Sequence, residues 1–247
     1  MIQDLQKRTL FAILALAIFI PILAIGGLWL QIAMGIVAML GVNELLRMKG
    51  LNTMTPEGLL TLLATFFLTI PLENYLKFLP VDGNVVAYSV VILILLGATV
   101  FSKNYTIEDA VFPIAMSFYV GFGFNALVDA RIAGLDKALL GLCMVWATDS
   151  GAYLVGMKFG KRKLAPRVSP NKTIEGAMGG ILAAMLVTLI FMLVDSTVAL
   201  PYGIYKMMVF AIFFSIAGQL GDLIESAMKR HFGVKDSGKF IPGHGGV

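Results

Sequence analysis

Apolar segments long enough to cross a lipid bilayer follow one another along almost the whole chain. Eight of them can be delimited, at 9–27, 29–48, 57–79, 84–101, 107–130, 135–157, 174–195 and 204–230. A helix rises about 1.5 Å per residue, so about 20 residues cross the hydrocarbon core. Of the 247 residues, 58% are hydrophobic and 14% are charged, whereas soluble domains have about 45–50% and about 25%. The pattern predicts an all-α, polytopic integral membrane protein with about eight transmembrane helices.

The third and eighth segments differ from the others. Pro71, Glu73 and Lys77 interrupt the second half of the third segment, which makes it the weakest prediction. The eighth segment is longer than a bilayer requires, so its last turns should project into water. The single cysteine, Cys143, excludes an internal disulfide and any metal site built from several cysteines.

Basic residues are divided unequally between the two sides that these helices would connect. With eight spans, both termini share one side, and the opposite side receives four basic residues, Lys77, Arg131, Lys137 and Lys206. The other 15 of the 19 Lys and Arg residues lie on the side of the termini. The positive-inside rule makes that side cytoplasmic. We therefore expect a multi-pass protein of the cell (inner or plasma) membrane, with its N-terminus and active-site loops in the cytoplasm.

The sixth segment contains an ionisable residue deep in an apolar run. In "WATDSGAYLVG", Asp149 lies about 13 Å from the cytoplasmic end of the helix. A carboxylate at that depth costs a few kcal/mol unless it faces a partner, a metal ion or water, and such residues are functional candidates by default. A buried Asp that is protonated or hydrogen-bonded to a neighbouring helix is the alternative. Gly151 and Gly156 would allow another helix to approach closely.

The following loop, "KFGKRKLAPRVSPNKTIEG", carries six basic residues between Lys158 and Lys172. These charges can serve topology alone, by keeping the loop in the cytoplasm. The stretch Ser169–Gly176 favours a second role, because Thr173 can cap the seventh helix and Glu175 lies in its first turn. A helix N-terminus beside Lys172 suits a phosphate group. Glu175 would repel a bare phosphate but could approach one through a bound cation.

The eighth segment ends in a compact group of polar side chains. Asp222, Glu225, Ser226 and Lys229 are spaced so that they share one helical face. Two carboxylates one turn apart are typical Mg²⁺ ligands, in combination with substrate phosphates. The simpler alternative is an amphipathic helix end with an ion pair between Glu225 and Lys229, which does not explain Asp222 at an apolar depth.

A glycine-rich segment, "KDSGKFIPGHGGV", follows from Lys235 to Val247. Gly243, Gly245 and Gly246 would let backbone N–H groups approach an anion, and His244 could add a hydrogen bond or a proton. Acidic, basic, hydroxyl and glycine groups thus gather at the cytoplasmic ends of three late helices. This mixture favours phosphoryl or nucleotidyl transfer, in which metal ions neutralise phosphates and Lys or Arg stabilise charge.

These motifs resemble those of a known family. "GDLIESAMKRHFGVKDSGKFIPGHGG" is similar to the signature of the phosphatidate cytidylyltransferases, and "DSGAY" and "SPNKTIEG" match two further stretches in the expected order. The three matches cover roughly the C-terminal 100 residues. The resemblance implies an all-helical, Mg²⁺-dependent membrane enzyme that forms homodimers and joins CTP to phosphatidate, giving CDP-diacylglycerol and pyrophosphate. One or two cations are compatible with it, and no nucleic-acid partner is expected.

The motifs and the resemblance together define the expected parts and site residues. We expect N-terminal membrane helices at 1–131, with about five spans, and C-terminal catalytic helices at 132–247. The expected catalytic residues are Asp149, Lys172, Asp222, Glu225, Lys229 and His244. The expected substrate-binding residues are Ser169, Lys172, Thr173, Glu175, Ser226, Arg230, Lys235, Asp236, Gly243, Gly245 and Gly246. The expected metal ligands are Asp149, Asp222 and Glu225.

Three further expectations complete the sequence-based hypothesis. The family continues past the glycine loop with an acidic stretch and another membrane helix, so we expect the 247-residue chain to have a mobile Lys235–Gly246 loop and little activity. A CTP-dependent polyprenol or dolichol kinase would share the CTP-facing chemistry and differ in the lipid. A transporter would also place charges in membrane helices, although its sites usually lie at the midplane between repeats.

Overall fold

The computed structural model describes residues 2–76, 83–194 and 202–238, and the statements below refer to these residues. The helices and strands follow one another along the chain as α1 Ile2–Ile25, α2 Gly27–Met48, α3 Pro56–Thr69, α4 Gly83–Phe101, α5 Ile107–Ala133, α6 Leu135–Phe159, β1 Lys163–Ala165, β2 Ser169–Thr173, α7 Ile174–Val194 and α8 Gly203–His231. A short 3₁₀ turn at Leu72–Asn74 follows α3. The described ranges thus contain eight α-helices, this 3₁₀ turn and one two-stranded hairpin.

Six of these helices, α2 and α4 to α8, are long and apolar enough to cross a membrane. The Thr9–Ile25 part of α1 and the whole of α3 are apolar but shorter. The predicted class, an all-α polytopic membrane protein, is therefore confirmed, whereas the predicted number of about eight spans is not.

The third predicted segment, 57–79, is longer than the helix that forms there. Helix α3 begins after Thr55, whose hydroxyl oxygen accepts a hydrogen bond from the Gly58 amide at 3.2 Å. It ends at Thr69, because Ile70 is extended at φ −103° and ψ 129°. A residue before proline is driven out of the helical region, and Pro71 follows Ile70. The last part of the predicted segment, 77–79, lies outside the described residues.

Contacts divide the chain into two compact units. The first comprises the described residues of Met1–Ile132 and Val234–Val247, and the second comprises Ala133–Gly233. The predicted division into 1–131 and 132–247 concerns function as well as packing, and it stays a prediction.

In the first unit, α3 packs against α2 and α4. Its buried threonines Thr61, Thr65 and Thr69 repeat every four residues, and each hydroxyl donates to the carbonyl four residues earlier. This satisfies the hydroxyls without a partner helix. At one end of the unit, the Arg131 guanidinium donates to the Leu23 and Ala24 carbonyls at 2.7 and 2.8 Å. Those carbonyls belong to the last turn of α1, so Arg131 caps that helix.

In the second unit, α6 and α7 meet through glycines. A β-carbon at Gly151 would lie 2.6 Å from Ala183 Cβ and 2.7 Å from the Gly179 oxygen. One at Gly176 would lie 2.7 Å from the Ala152 oxygen, and one at Gly156 would lie 3.5 Å from Gly176 Cα. The close approach predicted for Gly151 and Gly156 is confirmed. Leu140 and Met144 of α6 pack on Met207 and Ala211 of α8 at the other end of the unit.

The loop between α6 and α7 forms an antiparallel hairpin, which the sequence analysis did not anticipate. Lys163 pairs with Thr173 and Ala165 with Ser169. The Ile174 amide donates to the Arg162 carbonyl at 2.9 Å, which continues the pairing into the first turn of α7. The hairpin fixes the last residues of β2 relative to the start of α7.

Candidate functional site

A cavity of about 460 Å³ lies in the second unit, against α6, both strands of the hairpin, α7 and α8. One part of its wall is polar, formed by Asp149, Asn171, Lys172, Gln219 and Asp222. Another part is apolar and includes Tyr153, Met157 and Leu164. Gly156 and Gly176, at which α6 and α7 approach closely, also line the cavity.

Lys172 and Asp222 form an ion pair within this wall. The Lys172 ammonium donates to the Asp222 carboxylate. Lys172 is the penultimate residue of β2 and Asp222 lies in α8, so the pair links the hairpin to that helix. The side chains are 30% and 49% exposed. Both charges therefore remain accessible from the cavity.

Asp149 lines the same cavity from α6. Thr148, its neighbour in sequence, is buried and donates through its hydroxyl to Ser215 Oγ of α8 at 3.0 Å. Two of the three predicted metal ligands, Asp149 and Asp222, are thus brought together with Lys172. A carboxylate pair and an ammonium in one cavity can bind a cation and a phosphate side by side.

Gln219 is a cavity residue that the sequence analysis missed. Its side-chain amide donates to the Ala177 carbonyl and to Ser215 Oγ, both at 3.2 Å. It lies three residues before Asp222, so the helical spacing that grouped Asp222 with Glu225 could have included it. Asn171 and Tyr153 were likewise missed, although both stand within the motifs that carried the resemblance.

The start of α7 has the predicted cap. The Thr173 hydroxyl oxygen accepts a hydrogen bond from the Gly176 amide at 3.1 Å, and Thr173 lines the cavity. Glu175 does not line it. Its Oε2 accepts from the amides of Lys161 and Arg162 at 3.0 and 3.1 Å, and its Oε1 lies 3.6 Å from Arg162 Nε. Glu175 thus ties the strand that enters the hairpin to α7.

Other predicted residues lie around the cavity without lining it. Glu225 accepts from the Lys229 ammonium at 2.8 Å, which is the i,i+4 pair considered from the sequence. Ser226 is half-buried on the same helix. Arg230 Nε donates to the Val168 carbonyl, in the hairpin turn, at 3.5 Å. Ser169 begins β2, opposite Ala165.

The remaining predicted residues belong to the C-terminal segment. Lys235 and Asp236 are exposed and belong to the first unit. Gly243, His244, Gly245 and Gly246 lie outside the described residues, as does the loop from 239 onward that was expected to be mobile. Their roles stay predictions.

Two carboxylates are the donor groups that the cavity could offer to a metal ion. Within residues 2–76, 83–194 and 202–238, no three His, Cys, Asp or Glu side chains converge as a metal site. Asp149 and Asp222 supply two hard carboxylate donors to one cavity. These donors fit Mg²⁺, which is commonly held by one or two carboxylates with substrate phosphates and water as the other ligands.

Comparison with known proteins gives a consistent result over nearly the whole chain. A sequence model described as the cytidylyltransferase family matches residues 6–247. A protein of Staphylococcus epidermidis named phosphatidate cytidylyltransferase is 42% identical over 247 residues, covering 98% of this chain and 92% of the relative.

Two further relatives carry the same name. The protein of Staphylococcus saprophyticus is 40% identical, and that of Staphylococcus aureus (strain COL) is 39% identical. Each alignment covers 98% of this chain and 92% of the relative. The similarity therefore includes α1 to α5 as well as the motifs that line the cavity.

Proposed function

Because this chain belongs to the cytidylyltransferase family, we propose that it makes CDP-diacylglycerol and pyrophosphate from CTP and phosphatidate, a step of phospholipid biosynthesis. Relatives 39–42% identical are named phosphatidate cytidylyltransferase. The observation that carries the proposal is the mixed lining of the cavity, in which charged groups and exposed apolar groups border the same space.

The apolar wall suits a lipid substrate. Tyr153 and Met157 are each 68% exposed although both lie on a membrane helix. They can therefore contact acyl chains as well as a ligand in the cavity. A phosphatidate molecule has both parts that such a wall requires, an anionic head and apolar chains. Its phosphate would lie near Lys172 while its chains remain in the bilayer.

The polar wall suits the triphosphate of CTP. The Lys172 ammonium provides positive charge beside the N-terminus of α7, where backbone N–H groups favour anions. Asp149 and Asp222 would hold Mg²⁺, which would neutralise the phosphates and orient them for displacement. Glu225, the third predicted ligand, is paired with Lys229. It would have to leave this ion pair to bind the metal ion directly.

The proposed reaction is an in-line displacement at phosphorus. A phosphate oxygen of phosphatidate attacks the α-phosphorus of CTP and forms the new P–O bond. The bond between the α-phosphorus and the oxygen that bridges to the β-phosphorus breaks, and pyrophosphate leaves with that electron pair. The attacking oxygen is already anionic near neutral pH, so no general base is needed. Lys172, Lys229 or Arg230 would stabilise the charge on the departing pyrophosphate.

Orientation and assembly form part of the same proposal. The hairpin and the C-terminal end of α8 would face the cytoplasm, where CTP is available, within the cell membrane. Five of the six basic residues of the loop are exposed, which supports that side; they are Lys158, Lys161, Arg162, Lys163 and Arg167. The homodimer implied by the resemblance can be tested by mass measurement in nanodiscs.

An assay of the purified chain in nanodiscs tests the proposed activity. The chain is incubated with labelled CTP, Mg²⁺ and either phosphatidate or a polyprenol. We expect a labelled CDP-lipid and pyrophosphate with phosphatidate and neither product with the polyprenol, and a high rate would contradict the low activity expected from the sequence. Transfer of the γ-phosphate to polyprenol would instead identify a lipid kinase, and no product with either lipid would contradict an enzymatic role.

A further inference from the structure

We infer that Glu44 is a positioning residue that holds the segment Val234–Gly238, from which the glycine-rich loop begins. The segment contains Lys235 and Asp236, two predicted substrate-binding residues. The effect on catalysis rests on the proposed function, whereas the effect on the segment does not.

Glu44 is a carboxyl residue in the buried face of a membrane helix. It belongs to α2 and is 6% exposed, between the buried residues Val42 and Leu45. Burying such a group is costly unless the structure holds it through hydrogen bonds or charges. A leucine would pack at this position without that cost. The presence of a carboxyl group therefore indicates a specific partner.

Ser237 supplies a partner from the far end of the chain. Its hydroxyl donates to Glu44 Oε2 at 3.3 Å, across 193 residues of sequence. Both residues belong to the first unit. The contact therefore joins α2 to the segment that follows α8, within one compact unit.

Gly238 lies against the same carboxyl group. A β-carbon there would overlap Glu44 Oε1 and Cδ. The backbone of the segment therefore lies directly against the carboxyl group, and a larger residue at position 238 would require the Glu44 side chain to move. A hydrogen bond at Ser237 and a close backbone approach at Gly238 restrict two consecutive residues.

These contacts hold the residues that precede the remainder of the glycine-rich segment. Lys235 and Asp236 are exposed and lie one or two residues before Ser237. Ordering a backbone residue has an entropic cost, so an anchor beside Lys235 and Asp236 lowers the cost of holding their side chains in place. Glu44 acts through Ser237 and Gly238 and need not touch a substrate.

Hydrogen exchange of the full chain in nanodiscs tests the anchor directly. Glu44→Leu and Ser237→Ala should each increase exchange of the Val234–Gly238 amides about tenfold, the factor expected for loss of one hydrogen bond. Glu44→Gln keeps an acceptor oxygen and should stay within about twofold of the original. The double variant Glu44→Leu/Ser237→Ala should exchange no faster than either single variant, because both remove the same contact.

Gln31→Leu is the matched control. Gln31 is also a buried polar residue of α2, 4% exposed, and its Oε1 accepts a hydrogen bond from the Tyr75 hydroxyl at 2.7 Å. This variant should lower stability without changing exchange at Val234–Gly238. Equal exchange in the original chain, Glu44→Leu and Ser237→Ala would overturn the inference, as would an equal increase in Gln31→Leu.

Kinetics of the same variants connect the anchor to turnover. If the chain forms CDP-diacylglycerol, Glu44→Leu and Ser237→Ala should lower kcat/KM about tenfold with Glu44→Gln rescuing it. Loss of protection with unchanged kcat/KM would overturn the positioning role. An original chain that protects Val234–Gly238 but makes no CDP-lipid would contradict the proposed function and leave the anchor supported.

Discussion

The ammonium group of Lys172 pairs with the carboxylate of Asp222, joining the end of the β-hairpin to α8 across 50 residues of sequence. Both side chains are partly exposed, and ion pairs of this kind contribute only about 0–1 kcal/mol to stability. The pair therefore matters more for the cavity than for the fold. It holds a group that attracts phosphate beside a group that attracts a cation.

Asp222→Asn should remove turnover while leaving the protein folded. The substitution keeps the shape of the side chain but removes its charge, so a cation and the Lys172 ammonium both lose their partner. We expect the rate of CDP-lipid formation to fall about a hundredfold or more, with a melting temperature close to the original. Asp136→Asn is the control, because Asp136 also forms an ion pair, with Lys137, but lies in the first turn of α6 and does not line the cavity. Near-normal Mg²⁺-dependent turnover of Asp222→Asn would refute the metal role.

Removal of divalent cations should stop the reaction reversibly. Treatment with EDTA should abolish CDP-lipid formation, and added Mg²⁺ should restore it, because a triphosphate in this cavity would otherwise face two carboxylates. Asp149→Asn should raise the Mg²⁺ concentration at half-maximal rate about tenfold or more. Full activity in EDTA would contradict a metal at this site, and an unchanged Mg²⁺ dependence in Asp149→Asn would assign the metal to other ligands.

Lys172→Ala should weaken the use of CTP more than the use of phosphatidate. The triphosphate carries more charge than the lipid phosphate and would lose more from removal of the ammonium. We expect KM for CTP to rise about tenfold and KM for phosphatidate to rise less than about twofold. Lys161→Ala, an exposed basic residue of the same loop, should leave both constants unchanged. Equal changes in KM for the two substrates would indicate that the basic loop only determines the topology of the protein.

Sequence patterns predicted the long helices well because the bilayer constrains them so strongly. The predicted segments 29–48, 84–101 and 174–195 differ from α2, α4 and α7 by at most two residues at either end. The predicted helix 57–79 was too long for a local reason. Ile70 precedes a proline and is extended, which ends the helix although the following residues include apolar ones.

The candidate site was only partly predictable, and the reason is long-range pairing. The Glu225–Lys229 pair follows from i,i+4 spacing on one helix and was anticipated. The Lys172–Asp222 pair depends on how a hairpin packs against α8, and no spacing encodes it. The contact between Glu44 and Ser237 depends in the same way on tertiary packing across 193 residues.

Glu175→Ala should loosen the hairpin. The Glu175 carboxylate accepts hydrogen bonds from the Lys161 and Arg162 amides, and removal of it would leave both donors without that partner. We expect faster hydrogen exchange at these two amides and a lower free energy of unfolding. Glu175→Gln keeps one acceptor oxygen and should lose less. Unchanged exchange in Glu175→Ala would show that the strand pairing alone holds the hairpin.

Gly151→Val should disrupt the contact between α6 and α7. Its β-carbon would lie 2.6 Å from Ala183 Cβ and 2.7 Å from the Gly179 oxygen, and neither atom can move without shifting a helix backbone. We expect a loss of about 1–3 kcal/mol in stability, measured by thermal unfolding in detergent. Turnover should fall as well, because Asp149 and Gly156 line the cavity from the same helix. Gly218→Ala is the control, since nothing lies within 4 Å of a β-carbon at that position of α8. Equal melting temperatures for Gly151→Val and Gly218→Ala would show that the two helices can separate without cost, and that the glycines do not determine the shape of the cavity.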